Sequence, residues 1–425
     1  MSAKNGTSRS VLIVGGGTFG TSTAHHLSQR GYKNVTVLDR SAPPSNEAAG
    51  NDINKIIRAD YPDRIYADLA TESIQSWRDP KGLFAGLYHR SGWLMSAGQR
   101  SLPFIEGSIK TAAERGFEQA QYLNNDEVRS RFPAYNGDMK GWQTYWNSSV
   151  GWVNAREALH RMAIAAQEAG VIYISGTAGH VTQLLFDERG RCIGAKSADG
   201  TTQFADEIIL AAGAAAASIL DMKSQLVAKG HTVGHIQLSP DEVKLYGSMP
   251  VVDHLEGGIL FPPQEDGLVK VGAVHFVTNY SKRHPNVSLP RYRSDHPRDY
   301  IPKPIEDQLR KWLREFCPAL ADRPWVETRI CWDADMADYH FLIGSHPSHP
   351  GLRLAVGGSA HGFKFMPVIG KYIVDMLEGK LDPETAEKWR WRHGARLESI
   401  DPHPNPLLDL KDVPGFNDDG TRSKL

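Results

Sequence analysis

The sequence predicts a two-domain α/β protein, with one domain built on a parallel sheet and a second, α+β domain built on another sheet. Three observations predict it. The chain has 425 residues, more than one typical hydrophobic core accommodates. Val11 to Asp39 reads as strand, glycine loop, helix, strand and acid in succession. From roughly Val227 to Val326 the texture changes to short β-like runs between Pro-rich loops, which suits a sheet-based domain inserted into the first.

The opening unit is the most informative. Val11 to Val14 is a short apolar run suited to a buried parallel strand, and Gly15, Gly17 and Gly20 follow in G-x-G-x-x-G spacing. Ala24 and Leu27 continue at helical spacing, Gly31 closes the helix, and Val35 to Leu38 form a second strand ending on Asp39. In a Rossmann-type unit the first glycine permits the tight turn and the second lets backbone approach a pyrophosphate. The third lets helix and strand pack closely, the phosphates sit on the helix N-terminus, and an acid about twenty residues on bonds the ribose hydroxyls. A bound dinucleotide is expected here, on Gly15, Gly17, Gly20 and Asp39.

The remaining elements follow in order. Ser41 to Gly50 is loop by composition. Asn51, Asp52, Asn54, Lys55 and Arg58 then crowd together among apolar residues; on residue type alone this reads as a solvated helix start rather than a site. Helical periodicity marks Leu69 to Trp77 and Phe104 to Arg115, with a strand-like Gly92 to Met95 between them. Asn154 is a suitable N-cap for a helix over Ala155 to Ala169. Val171 to Ser175 reads as a strand, and Val181 to Phe186 with Cys192 to Ser197 as a hairpin. Phe204 to Leu210 runs into Ala211-Ala212-Gly213-Ala214, small residues that let backbone approach a nucleotide again. In the second domain, His235 to Leu238, Met249 to Val252, Ile259 to Phe261 and Val269 to Val274 are the strand-like runs, and Ile305 to Phe316 is a helix. Leu352 to Val356 leads into a second strand–glycine loop–helix unit containing Gly357, Gly358 and Gly362. The expected boundaries are 1–80, 150–225 and 327–385 for the nucleotide domain and 81–149 with 226–326 for the other. Residues 386–425 form a tail that packs across the surface and then frays.

Composition narrows the classes. A net charge of −1 argues against nucleic-acid or membrane-surface binding driven by bulk charge. No apolar stretch reaches the roughly 20 residues that span a bilayer. Three cysteines, Cys192, Cys317 and Cys331, imply no disulfide framework and suit a reducing compartment. The sequence finishes Ser423-Lys424-Leu425, which reads as a peroxisomal address recognised by an import receptor.

Several residues could carry chemistry. Lys364, in the Gly-rich GFKF loop, needs an anionic partner if buried. Lys270, flanked by valines in LVKVGAV, either snorkels from an edge strand or points into a cavity. Cys331, in ICWDAD, reads on general grounds as a buried small hydrophobe. His275 and His361 are candidates for site walls. The 17 histidines show no metal-ligand spacing, so no metal is expected, and no G-x-S-x-G elbow appears.

The opening unit, NDINKIIR, ICWDAD-x-x-AD-x-x-FLI and GGSAHGFKFMPVIGK together resemble the sarcosine oxidase and fructosyl amino acid oxidase (amadoriase) family, in the same order from Val11 to about Gly379. The resemblance implies FAD, bound covalently through a thioether to Cys331, with Gly213 and Gly362 also against the cofactor. It implies oxidation of the C–N bond of a secondary α-amino acid, with oxygen reduced to hydrogen peroxide. Lys270 matches the oxygen-activating lysine, where a fixed positive charge stabilises forming superoxide, and Asn54 and Lys55 match a polar pair near the flavin. Lys364 matches the lysine that grips the substrate carboxylate. Arg58 aligns with the arginine that completes this clamp in sarcosine oxidases.

One stretch departs from the fructosyl oxidases. They follow the oxygen-activating lysine with an acidic pair, whereas this chain has Gly272-Ala273-Val274-His275; sarcosine oxidases place a histidine close to this position. The expected function is therefore an FAD-dependent, monomeric oxidase of N-alkyl, preferably N-methyl, α-amino acids. Fructosyl amino acids are the alternative, followed by saccharopine- or pipecolate-type and biosynthetic secondary amines. A non-catalytic flavin-binding protein is the competing class, and the presence of Lys270, Lys364 and Cys331 weighs against it.

Overall fold

The computed structural model describes residues 6–118, 120–280, 284–393 and 398–416. Val11–Val14 is central in a six-stranded sheet, pairing in parallel with Val35–Leu38 on one side and Glu207–Leu210 on the other. Ile172–Ile174 extends the first side, while Leu352–Val356 and the antiparallel Leu342–Ser345 extend the second. Parallel strands need crossover connections that cover both faces. Accordingly, Val11–Val14 and Glu207–Leu210 are buried at every position. Ile13, Val37 and Ile209 pack with Leu27, Ile369 and Ile373 of the helices Thr18–Gln29 and Met366–Leu377. Leu12, Val14, Ile208 and Leu210 pack with Leu184 and Ala195 of a three-stranded sheet, Val181–Phe186, Cys192–Ser197 and Thr202–Phe204. The two helices meet closely because Gly370 has no side chain: a Cβ there would lie 2.1 Å from the Ser22 carbonyl oxygen.

The second domain is a ten-stranded mixed sheet. Its order is Leu408–Asp409, Val277–Thr278, Leu226–Gln237, Leu268–Ala273, Gly258–Leu260, Val251–His254, Trp93–Ala97, Gln143–Asn147 and Gln121–Leu123, with Glu327–Met336 also paired to Leu226–Gln237. The helix Lys303–Phe316 buries Ile305, Leu309, Trp312, Leu313 and Phe316, one stripe at helical spacing, in this domain's core. The helices expected near Leu69–Trp77, Phe104–Arg115 and Ala155–Ala169 form as Arg64–Arg78, Leu102–Glu114 and Ala155–Glu168. The Asn154 side chain caps the last of these by accepting from the Glu157 N–H at 3.1 Å.

Four stretches differ from the sequence reading. NDINKIIR is not a solvated helix start: Lys55–Ile57 is a strand pairing with Gly151–Val153, and Asn51, Asp52, Asn54 and Arg58 are buried. The short run His235 to Leu238 is the end of the twelve-residue strand Leu226–Gln237. Gly230 and Gly234 interrupt its apolar pattern, and they make room for neighbours: a Cβ at Gly234 would lie 2.5 Å from the Trp325 ring. Glu327–Met336, grouped on sequence with the nucleotide domain, stands in the second sheet. The tail is pinned rather than laid across the surface, with Trp389 fully buried and Arg392 held by Asp338 at 2.9 and 3.0 Å.

Candidate active site

A cavity of about 360 Å³ opens at the carboxyl ends of the parallel strands, lined there by Gly15, Gly17, Asp39 and Gly213. Lys55, Trp332, Asp333, Gly362 and Phe363 line it as well. Gly15 has φ +108°, and a Cβ on it would lie 2.5 Å from the Ala211 carbonyl oxygen; one on Gly20 would lie 1.8 Å from the Gly15 carbonyl oxygen. Both positions exclude any side chain, the first for the turn and the second for helix–strand packing. No side chain caps the N-terminus of Thr18–Gln29 at Gly17, and Gly17 and Thr18 line the cavity, the arrangement that seats a phosphate on a helix end. Asp39 is anchored as it lines the cavity, Oδ2 accepting from the Gly16 N–H and Oδ1 from the Ser41 N–H and Ser45 hydroxyl, each at 2.8 Å.

Beside this cradle lies a buried ion network. Asp52 is 1% exposed, with Oδ2 2.9 Å from Lys270 Nζ and 3.2 Å from Lys55 Nζ, and Oδ1 2.8 Å from Arg329 Nη2. Burial pushes the Asp52 pKa up, but the three cations, Lys270 foremost, overcome it and hold the carboxyl well below the usual range. Burial lowers Lys270 to about 8 against the pull of Asp52. Lys270 therefore points inward, donating also to the Asn54 carbonyl and lying 4.1 Å from the Phe261 ring. The Asn54 side-chain amide is fully buried with neither its oxygen nor its nitrogen paired. A buried orphan of this kind calls for a partner, and Asn54 directly precedes Lys55, which lines the cavity.

Cys331 is buried on Glu327–Met336, its Sγ 3.8 Å from the carbonyl of cavity-lining Ala49. Asp333, two residues on, lines the cavity; burial, opposed by Lys55, raises its pKa to about 7. Arg58 is buried with its guanidinium 4.5 Å from the Tyr61 ring centre and 5.3 Å from that of Trp93, and it donates to the Asp60 carbonyl. Lys364 Nζ lies 5.5 Å from the same Tyr61 ring and donates to the His361 carbonyl at 3.0 Å. Burial, with Arg58 adding to it, drops the Lys364 pKa well below its ordinary value. Among the described residues neither Arg58 nor Lys364 has an ion pair with a carboxylate.

The fold brings together Lys270 with Asn54 and Lys55, and Arg58 with Lys364; Cys331 does not itself line the cavity and reaches it through Ala49. His275 is half-buried, with Arg100 as its charged neighbour, and none of its described contacts is with Arg58, Lys364 or Lys270. Residues 423–425 lie outside the described residues. Asp52, Arg329, Asp333, His231 and Asp253 were given no role on sequence. Asp52 and Asp333 sit inside the two quoted motifs, a signal that was available; His231 and Asp253 stand in strands with nothing local to mark them. Among the described residues no group of three or more His, Cys, Asp or Glu could hold a metal, and no helix is long and apolar enough to cross a membrane.

Comparison with known proteins agrees with this geometry. Residues 10–376 match the family described as FAD dependent oxidoreductase. The L-saccharopine oxidase of Schizosaccharomyces pombe is 31% identical over 96% of this chain and 98% of its own length. The peroxisomal sarcosine oxidase of Mus musculus is 23% identical over 88% of this chain and 93% of its own. The crystal structure of the deglycating fructosamine oxidase (Amadoriase II) of Aspergillus fumigatus superposes with a TM-score of 0.88 at 38% identity, covering 97% of both chains. With the glycine cradle, the parallel sheet and the match running through both domains, the chain belongs to the FAD dependent oxidoreductase family.

Proposed function

We propose that this protein oxidises the C–N bond of secondary α-amino acids, passing the electrons to oxygen as hydrogen peroxide. The observation that carries the reading is the Arg58–Lys364 pair: two buried basic groups on one tyrosine ring with no direct ion pair to a carboxylate among the described residues. Burying such groups is unfavourable unless an anion completes the site, and an amino-acid carboxylate is the anion that does so. Arg58 gives it a planar fork and Lys364 a point charge. Gripped there, the substrate presents its Cα and nitrogen to the reacting face, which converts a collision into an oriented encounter. FAD, held by Gly15, Gly17, Gly20, Asp39, Gly213 and Gly362 and attached through Cys331, supplies the hydride acceptor. Lys270 carries its positive charge beside the site where oxygen is reduced, and Asp52 keeps that lysine oriented and protonated near neutral pH.

N-methyl amino acids are the first substrate set in this reading. A second set, with a larger polar N-substituent, is favoured by Asp253. This buried carboxyl has a pKa raised by burial and drawn back by His403, Arg58 and Lys364, so its charge is felt by the clamp. It suits a hydroxyl or ammonium on the substituent, in keeping with similarity to proteins named L-saccharopine oxidase and fructosamine oxidase. The test is anaerobic mixing of the yellow protein with sarcosine, L-saccharopine and fructosyl-valine. Bleaching by at least one of them, abolished by Lys364→Met, is expected. No bleaching by any secondary amino acid would remove the proposal.

We also propose that Ser423-Lys424-Leu425 is read as a peroxisomal address. A fluorescent protein ending in residues 416–425 should collect in peroxisomes, and one lacking the tripeptide should stay diffuse.

A further inference from the structure

We propose that His231 and Asp333 form the base that deprotonates Cys331 so that its sulfur can bond to the flavin. The inference rests on the covalent FAD reading above and adds what makes the linkage form. In the antiparallel ladder between Leu226–Gln237 and Glu327–Met336, His231 is paired directly with Cys331. Side chains of directly opposed residues project from the same face, with Cβ atoms about 4.5–5.5 Å apart. Asp333, two residues beyond Cys331, emerges on that face too, and its Oδ2 lies 3.6 Å from His231 Nε2. That nitrogen is buried and has no hydrogen-bond partner, while its ring is held against Phe276 with centroids 4.0 Å apart. Asp333 lines the nucleotide cavity together with Lys55, and Ala49, whose carbonyl Cys331 Sγ touches, lines it as well. The thiol, the imidazole and the carboxyl therefore share one strand-pair face, and the carboxyl of Asp333 lines the cavity.

The environment makes help necessary. Burial raises the Cys331 pKa above the ordinary thiol value, with Lys55 opposing the rise, so the nucleophilic thiolate is scarce at neutral pH. Burial keeps the His231 imidazole neutral, with a nitrogen free to accept, and holds the Asp333 carboxyl near neutrality, at about 7. A proton can pass from sulfur to this pair without a bare charge being stranded, and the Lys55 ammonium stabilises the thiolate it leaves. The S–H bond and one C–H bond of the flavin 8α-methyl break, and a sulfur–carbon bond forms. The two electrons released stay on the flavin ring, and two protons bring it to the reduced state. Molecular oxygen then takes two electrons and two protons to become hydrogen peroxide, leaving an oxidised, covalently attached flavin. His231 and Asp333 return to their starting states.

The test uses the full chain produced without flavin, then mixed with FAD in air at a series of pH values. Covalent product is read as flavin fluorescence retained by acid-denatured protein and as a gain in intact mass, neither of which depends on turnover. Wild type should label. Asp333→Asn and His231→Gln, both close in size to the originals, should take up FAD and turn yellow yet label more slowly at neutral pH, on the order of a hundredfold, the usual worth of a positioned base. Their rates should climb back toward wild type as rising pH ionises the thiol unaided. Labelling of both variants at the wild-type rate overturns the proposal, as does a slowing by one constant factor at every pH, which is the mark of a purely structural role. Wild-type protein that releases all its FAD into acid would instead sink the Cys331 linkage itself, and this base with it.

Discussion

Asp52→Asn is the perturbation whose consequences the structure defines most fully. The substitution keeps the shape of the side chain and removes its charge. Lys270, Lys55 and Arg329 each have Asp52 as their only carboxylate partner among the described ion pairs, at 2.9, 3.2 and 2.8 Å. Asp52 is 1% exposed and Lys270 4%, so water cannot take over. Breaking a buried pair by deleting one partner typically costs about 3–5 kcal/mol, a large fraction of the roughly 5–15 kcal/mol that holds a domain folded. A second consequence follows from proton linkage. Asp52 is the largest influence raising the pKa of Lys270, which burial otherwise lowers and which stands at about 8 with Asp52 present. Without the carboxylate it falls further. The ammonium is present below its pKa and lost above it, so wild-type flavin reoxidation should slow as pH rises through about 8. In the variant that decline should begin at lower pH. Unfolding followed by release of flavin fluorescence, and stopped-flow reoxidation across pH, measure the two effects separately. A variant with wild-type stability and an unmoved inflection would refute the reasoning.

Other perturbations read single contacts. Cys331→Ala should release all flavin on acid precipitation, while wild-type precipitate stays yellow; yellow mutant precipitate would rule out the linkage. Arg58→Ala should raise KM through loss of a charge-assisted bond, about 1.5–3 kcal/mol or roughly 10- to 150-fold, with a smaller effect on kcat. An unchanged KM would leave Arg58 a structural residue against Tyr61 and Trp93. Gly20→Ala should abolish FAD uptake, because its Cβ would sit 1.8 Å from the Gly15 carbonyl oxygen; a yellow Gly20→Ala protein would contradict the cradle geometry.

What was legible in the sequence depended on how local its cause was. The strand–glycine–helix opening could be read because each of its glycines answers a steric demand within a few residues, and Asn154 because capping is local. The strand Leu226–Gln237 was hidden because Gly230 and Gly234 take their meaning from partners at Ile330 and Trp325, roughly a hundred residues away. The same holds for the site. Lys364 stood out on residue type as an ammonium in a Gly-rich loop, while Asn54, Lys55 and Arg58 were given roles only through resemblance, since on residue type NDINKIIR read as solvated. Polar density cannot by itself distinguish a surface from a buried ion network; only the arrival of Lys270 and Arg329 at Asp52 decides it. His231 stands opposite Cys331 and beside Asp333 only through the ladder register between two strands about a hundred residues apart.

The central claim is that the Arg58–Lys364 pair holds a secondary amino acid for oxidation by FAD. The most direct measurement is oxygen consumption with matched peroxide release by the yellow protein, offered sarcosine, L-saccharopine, fructosyl-valine and the corresponding primary amino acids. With the decarboxylated amine of each substrate offered alongside, the expected result is one peroxide per oxygen with a secondary amino acid and none with its decarboxylated analogue. Equal turnover with and without the carboxylate would contradict it.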